Sequence, residues 1–413
     1  MTLPNLASAD WLRNPETQRV LGALEAAGFP ARVVGGCVRN ALMGLPVTDI
    51  DIATTALPAD VQRIAKAAGL AAIPTGIEHG TITVVANHIP FEVTTLRRDV
   101  ATDGRRATVA FTDDWAEDAA RRDFTMNALY CNARGVVHDP LGGYADISAR
   151  RVRFIGDAEL RIREDYLRIL RFFRFHATYG AGDLDAVGAG ACVRLRAGLA
   201  QLSAERVGSE MLRLLAARNA APVINTMFGL GLLVDVLRVA PRLVRFERLV
   251  AIEIALNVAP DPALRLAALA VHVLDDVTPL ADRLRLSKDQ HSVLRRSAER
   301  DWRLTATMTD QAARVTLYRL DADDYRRRVR LDWAETDDLI TDHNWLRLAS
   351  LPDRLPVPPF PIAGRDLLAL GMPPGPEIGR MLNELEEHWI DNDFASGAED
   401  LRAIAKTKIL SRN

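Results

Sequence analysis

Lysine is nearly absent from this chain: four of its 52 basic residues are lysines (Lys66, Lys288, Lys406, Lys408), so 48 are arginines. Such a skew follows from genome base composition as readily as from function, so only the positions of the arginines inform. Cysteine is scarce too. Cys37, Cys131 and Cys192 lie far apart without a C-x-x-C pair, which excludes a zinc ribbon or disulfide framework and fits a reducing cytoplasm. The chain has no signal peptide pattern and no run of 18 apolar residues, so no membrane association is expected. Repeats and low-complexity tracts are missing. With a net charge of −2 and a pI near 6.5, no global basic field advertises nucleic acid. A phosphohydrolase of the His-Asp type is excluded: His138–Asp139 is the one such dipeptide, and His272 has no adjacent acid.

What the chain has is enough apolar residue, 48% of 413, for several packed domains. Its densest chemistry is Gly35 to Asp51, GGCVRNALMGLPVTDID. Two glycines after the apolar run Arg32 to Val34 open a helical segment that Gly44 closes. Their backbone N–H groups, Gly36 in particular, offer a cradle for a triphosphate. Arg39, one turn in, is placed to clamp a phosphate oxygen. Asp49 and Asp51, two apart on an expected strand, point the same way. Side-by-side carboxylates repel unless a cation joins them, and Mg2+ is commonly held by one or two carboxylates plus substrate phosphates.

Around this stretch the pattern predicts helices over 15–28 and 58–68, and strands over 81–85 and 91–97. Alternation puts Glu92 on one strand face, either as a third carboxylate near the metal or as an edge-strand acid. Residues 98–114 are polar and aperiodic, which predicts a mobile loop. RRDFTMNAL (121–129) sets paired arginines before an acid and an apolar helix. They are either surface charges or neutralisers of phosphate charge. HDPLGGYADI (138–147) reads as a turn. A helix over 164–177 puts Tyr166, Ile169, Leu170, Phe173 and Ala177 on a core-facing arc. Asp165, Arg168 and Arg171 face away, with Arg174 at the boundary. Phe172 and Phe175 fall among the arginines, as in a pocket for a base or ribose.

From about 180 onward strand signals vanish. Helices are expected at 202–217, capped by Ser203, then at 222–238, 242–257, 262–275 and on to about 350. PDRLPVPPFP (352–361) reads as a stiff linker. Beyond it, LG-x-P-x-G-P-x-I-G between two helices is either a packing turn or a phosphate-facing one.

Four stretches, GGCVRNALMGLPVTDIDI, RRDFTMNAL, DPLGGYADI and EDYLRILRFFRF, stand in the order and spacing of the class II tRNA nucleotidyltransferases. The chain therefore resembles the CCA-adding enzymes and the related bacterial poly(A) polymerases. One departure is Asn40, where that family usually has aspartate. The resemblance implies an α+β, polymerase-beta-like nucleotidyltransferase head (1–148), then an elongated all-α neck (149–220), body (221–351) and tail (352–413). It implies two Mg2+ ions on Asp49 and Asp51, and a triphosphate gripped by Gly36, Arg39 and Arg122. Asp165 and Arg168 would read the base edge, helped by Arg171 and Arg174. The partners implied are tRNA, CTP and ATP, with no obligate protein partner. The short C-terminal end favours CCA addition over poly(A) synthesis, and an intact 98–114 segment disfavours CC-only addition. A catalytically silent RNA-binding protein is disfavoured by both aspartates being present.

Overall fold

In the computed structural model the described residues are 3–103 and 106–411, the side chains of 99–109 excepted. The chain divides into two compact units, Met1–Val239 with Arg283–Arg285, and Ala240–Asp282 with Leu286–Asn413.

The first unit begins with helices α1 (Asp10–Arg13) and α2 (Pro15–Ala26), then β1 (Ala31–Val34), α3 (Gly36–Leu42), β2 (Asp51–Thr54) and α4 (Pro58–Ala67). Strands β3 (Ala71–Gly76), β4 (Thr81–Ala86) and β5 (Ile89–Thr95) follow. Strands β6 (Arg97–Asp103) and β7 (Arg106–Phe111) come next, then α5 (Trp115–Ala120), β8 (Tyr130–Cys131) and β9 (Val137–His138). Seven strands form one sheet in the order β3-β4-β5-β2-β1-β8-β9. Within it β2 runs parallel to β5 and antiparallel to β1. The apolar residues of β4 and β5 alternate as expected, with Ile82, Val84, Phe91 and Val93 buried.

Three expectations are corrected. Segment 98–114 is no loop: β6 and β7 pair antiparallel from Arg97↔Phe111 to Asp103↔Arg106, with 104–105 outside the described residues. Its order comes from backbone pairing, which an aperiodic polar sequence does not advertise. After Arg122 there is a single 3-10 turn, Thr125–Asn127, rather than a helix. It leads directly into β8, and Tyr130 pairs with Val34 of β1. The expected helix over 164–177 is broken: α7 (Ala158–Glu164) ends at Asp165, and α8 spans Leu167–Tyr179. Between β9 and α7 lies α6 (Gly143–Ser148).

Helix α8 is the spine behind the sheet domain. Phe172 and Phe173 are fully buried, and Phe172 stacks on Phe154, 5.3 Å between centroids. Each such ring contributes about 1.5–3 kcal/mol by burial alone. Phe172 is thus core, not pocket. The unit closes with α9 (Ala186–Arg194), α10 (Ala204–Leu215), α11 (Ala220–Gly229) and α12 (Leu232–Leu237).

Outside these, the chain is helical, as the vanishing strand signals predict: α13 (Leu243–Ala255), α14 (Pro262–Ala270), α15 (Val277–Leu284), α16 (Lys288–Ala298), α17 (Asp310–Leu320) and α18 (Ala322–Ala334). Then come α19 (His343–Ala349), α20 (Leu351–Arg354), α21 (Gly364–Ala369), α22 (Pro376–Asp391) and α23 (Ala398–Leu410). Pro352 belongs to α20 and is buried, so the extended proline-rich stretch starts at 355. In the second unit, Trp333 stacks on Trp345 at 6.0 Å. Trp389 and Phe394 anchor a separate core with Met381 and Leu385. Among the described residues, no helix is long and apolar enough to cross a membrane.

Candidate active site

The sheet register places the acids. Asp51 stands between Val34 of β1 and Glu92 of β5, directly opposite both, so the three side chains share a face. Asp49 is not on the strand. Pairing with β1 ends at Val34, where Gly35 turns away at φ +77°, and Asp49 is left exposed in the coil before β2. It stays close enough to act on Asp51. The Asp51 carboxyl is pushed up to about 6, by burial first and then by Glu92, with Asp49 adding and Arg122 opposing. A cation bound beside it would relieve that repulsion. Among the described residues no three acids, histidines or cysteines form a metal-holding group. Two oxygen carboxylates with open positions suit a cation that takes its other ligands from phosphate and water. Glu92 is the direct neighbour of Asp51 on the same sheet face.

Asp51 forms one wall of a cavity of about 450 Å³. Gly35, Gly36, Arg39 and Arg122 line it from the sheet domain, and Asp165, Arg168, Arg171 and Phe175 from the helical side. Asp49 and Arg174 are not among its lining residues. Six arginines (39, 121, 122, 168, 171, 206) face three aspartates (51, 123, 165) there. The chain's net charge is −2, yet this lining carries six cationic side chains against three anionic ones.

Each arginine is held from behind. Asp118 on α5 is buried and accepts from Arg121 Nε at 2.8 Å, Arg122 Nη2 at 3.1 Å and Tyr130 Oη at 2.8 Å. Burial works against its charge, but Arg122 and Arg121 outweigh that and hold its carboxyl below the usual range. Arg122 keeps a buried Nε without a hydrogen-bond partner among the described residues. Asp123 accepts from Arg171 Nε and Asn127 Nδ2, both at 2.9 Å. Glu210 on α10 is buried and accepts from Arg174 Nε at 2.5 Å. The Phe175 ring lies under three guanidinium groups, those of Arg39, Arg171 and Arg174, at 5.3, 5.2 and 4.5 Å. Phe175 is therefore the aromatic residue of the site.

Asp165 sits in the break between α7 and α8. Its Oδ1 accepts from Leu167 N at 3.1 Å and its Oδ2 from Arg206 Nη2 at 2.6 Å. The residue after it packs closely: a Cβ on Gly198 would lie 2.0 Å from the Tyr166 ring, so only glycine lets that ring seat. Arg168 donates to Glu164 Oε2 at 2.5 Å and to the Arg161 carbonyl at 2.8 Å. The turn 138–147 is a scaffold. Buried Asp146 accepts from Thr125 Oγ1 at 2.6 Å, and Asp139 caps Gly143 and Tyr144 at 2.8 Å.

A seven-stranded sheet carries an acid that faces an arginine-lined cavity, the arrangement expected of a nucleotidyltransferase head. Residues 31–153 match the family model described as the poly A polymerase head domain. The mouse mitochondrial CCA tRNA nucleotidyltransferase 1 is 35% identical over 382 residues, covering 91% of this chain and 86% of that protein. The CCA-adding enzyme of Latilactobacillus sakei is 31% identical over 397 residues, covering 95% and 97%. The crystal structure of the Bacillus stearothermophilus CCA-adding enzyme in complex with CTP superposes with a TM-score of 0.73 at 27% identity, over 96% of this chain and 98% of that one. This chain belongs to the CCA-adding tRNA nucleotidyltransferase family.

Proposed function

We propose that this protein adds C, C and A, from CTP and ATP, to the 3′ end of tRNA and releases pyrophosphate. The observation that carries this reading is the single cavity in which Asp51, six arginines and the Asp165 carboxylate meet. Nucleotidyltransferases of this family generally use divalent metals. Here Asp49 and Asp51 would hold Mg2+, which when bound would lower the pKa of the tRNA 3′-hydroxyl and neutralise the leaving pyrophosphate. Arg122 and the Gly36 backbone grip the triphosphate. Arg39 has its donors turned to Asn40, Asn127 and Tyr179, so it shapes the phosphate site more than it clamps it.

The Asp165 carboxylate accepts from the exocyclic amine of C or A, while the Arg168 guanidinium donates to ring nitrogen or carbonyl oxygen. Arg171 and Arg174, seated on Phe175, keep the reading face rigid. Uracil and guanine present the wrong donors to this pair. The head (1–148) then supplies chemistry, the neck (149–220) base selection, and the body (221–351) and tail (352–413) recognition of the tRNA by shape. The three cysteines are free and buried. Burial raises the Cys37 and Cys131 thiols to about 12, which keeps them protonated and unreactive. An Asp51→Ala variant separates catalysis from binding. It is expected to keep tRNA affinity and lose nucleotide addition; addition at the wild-type rate would refute the assigned metal site.

A further inference from the structure

Asn40 lies in the last turn of α3 and uses both ends of its side-chain amide. Its Oδ1 accepts from Arg39 Nε at 3.1 Å and Arg39 Nη2 at 2.8 Å, while its Nδ2 donates to the Pro46 carbonyl at 2.8 Å. The partners set the amide's orientation, because a guanidinium only donates and a carbonyl only accepts. The main-chain carbonyl of the same residue accepts from Leu45 N at 2.8 Å. Both hydrogen bonds that start the coil 45–50, which delivers Asp49, therefore run to Asn40.

From Asn40 a continuous chain of hydrogen bonds crosses the site. Arg39 Nη1 donates to Asn127 Oδ1 at 2.5 Å, and Asn127 Nδ2 donates to Asp123 Oδ1 at 2.9 Å. Asp123 Oδ2 accepts from Arg171 Nε at 2.9 Å. Arg39 is 6% exposed. Burial is the main influence pulling its pKa down, and its hydrogen-bond partners are the neutral groups of Asn40, Asn127 and Tyr179. Among the described residues no carboxylate is bonded to it, so its orientation depends on those neutral acceptors.

We propose that Asn40 is a positioning residue with two separable jobs. Its Nδ2 holds the coil carrying Asp49 in place, and its Oδ1 orients Arg39 and, through Asn127 and Asp123, the base-selecting Arg171. One amide thereby ties the metal-facing coil to nucleotide selection. This rests on the functional reading above, in which Asp49 serves the metal and Arg171 the nucleotide.

Two variants separate the jobs. Asn40→Asp keeps the acceptor for Arg39 and puts a carboxylate oxygen where the donor to Pro46 was. Asn40→Ala removes both. Hydrogen–deuterium exchange on the full-length, metal-free protein reads each job without any activity. Asn40→Asp is expected to speed exchange of the amides of 45 and 47–50 at least fivefold and leave 121–129 and 165–175 as in wild type. Asn40→Ala is expected to speed exchange in both regions. Unchanged exchange of 45–50 in Asn40→Asp overturns the proposal, and so does wild-type exchange of 121–129 in Asn40→Ala. In nucleotide addition, Asn40→Asp, which keeps the acceptor for Arg39 and is the residue usual in the family, is expected to keep the preference for CTP over UTP. Asn40→Ala is expected to erode that preference. A wild-type protein that adds no nucleotides while the exchange pattern holds would sink the function and leave the positioning role standing.

Discussion

Replacing Asp118 with alanine probes how the site holds its positive charge. Asp118 is 1% exposed and sits behind both arginines of the RRDFTMNAL stretch, at 2.7 Å from Arg121 Nη2 and 3.1 Å from Arg122 Nη2. Those guanidinium groups are themselves mostly shielded, with side chains 15% and 20% exposed. Removing one partner of a buried ion pair costs about 3–5 kcal/mol, because the remaining charge stays buried and unpaired. Tyr130 Oη would lose its acceptor as well, at about 1 kcal/mol. Asp118→Ala should therefore destabilise the first unit by about 4 kcal/mol in urea unfolding. Freed from its anchor, Arg122 should also grip the triphosphate less well, raising KM for CTP about tenfold or more. The pH dependence has a definite sign. The folded carboxyl lies below its ordinary 3.8, so its contribution is present above that value and is lost as pH falls through the still lower folded pKa. The gap between wild type and variant should be full at neutral pH and shrink in acid. Equal urea midpoints at neutral pH, with unchanged KM, would refute the reasoning.

Three more outcomes follow from particular contacts. Phe175→Leu removes the ring under Arg39, Arg171 and Arg174, each contact worth about 0.5–2 kcal/mol; CTP affinity by calorimetry should fall about tenfold while the head stays folded. Gly198→Ala pushes a methyl into the Tyr166 ring, which displaces Asp165, so misincorporation of UTP should rise more than KM for CTP does. In the second unit the Asp332 carboxyl is pushed up to about 6, chiefly by burial, with Arg328 opposing. A raised carboxyl favours folding most below its unfolded value and loses that advantage as pH rises through about 6. Asp332→Asn should then be relatively more stable than wild type at about pH 7.5 than at about pH 4, read from thermal midpoints.

Residues that act near one another in sequence were legible, and those that act across the fold were not. The glycines, Arg39 and the aspartates declared themselves within one stretch of 17 residues, and Arg122 by pairing with Arg121. Asp118 carried a signal that the reading missed: it stands three and four residues before the arginines, the spacing at which helix side chains meet. Glu210 and Arg206 gave none. They reach Arg174 and Asp165 from α10, 36 and 41 positions away, by a packing of helices that no local pattern encodes. Phe172 and Phe175 looked alike in sequence. Both are buried on α8, and what differs is the packing beside each: Phe172 stacks on Phe154, while Phe175 lies under Arg39, Arg171 and Arg174, a tertiary difference that no local pattern encodes. The pairing of β6 with β7 was hidden because the charged β6 stretch RRDVATD masks the short apolar run ATVAF that β7 carries.

The central claim is tested most directly by incubating the purified protein with tRNA lacking its terminal CCA and with each nucleotide singly and in pairs. The account predicts C addition from CTP alone, and with CTP and ATP together three nucleotides and then arrest. UTP and GTP should leave the tRNA unextended. A long adenylate tract from ATP alone would contradict it and assign the protein to poly(A) synthesis.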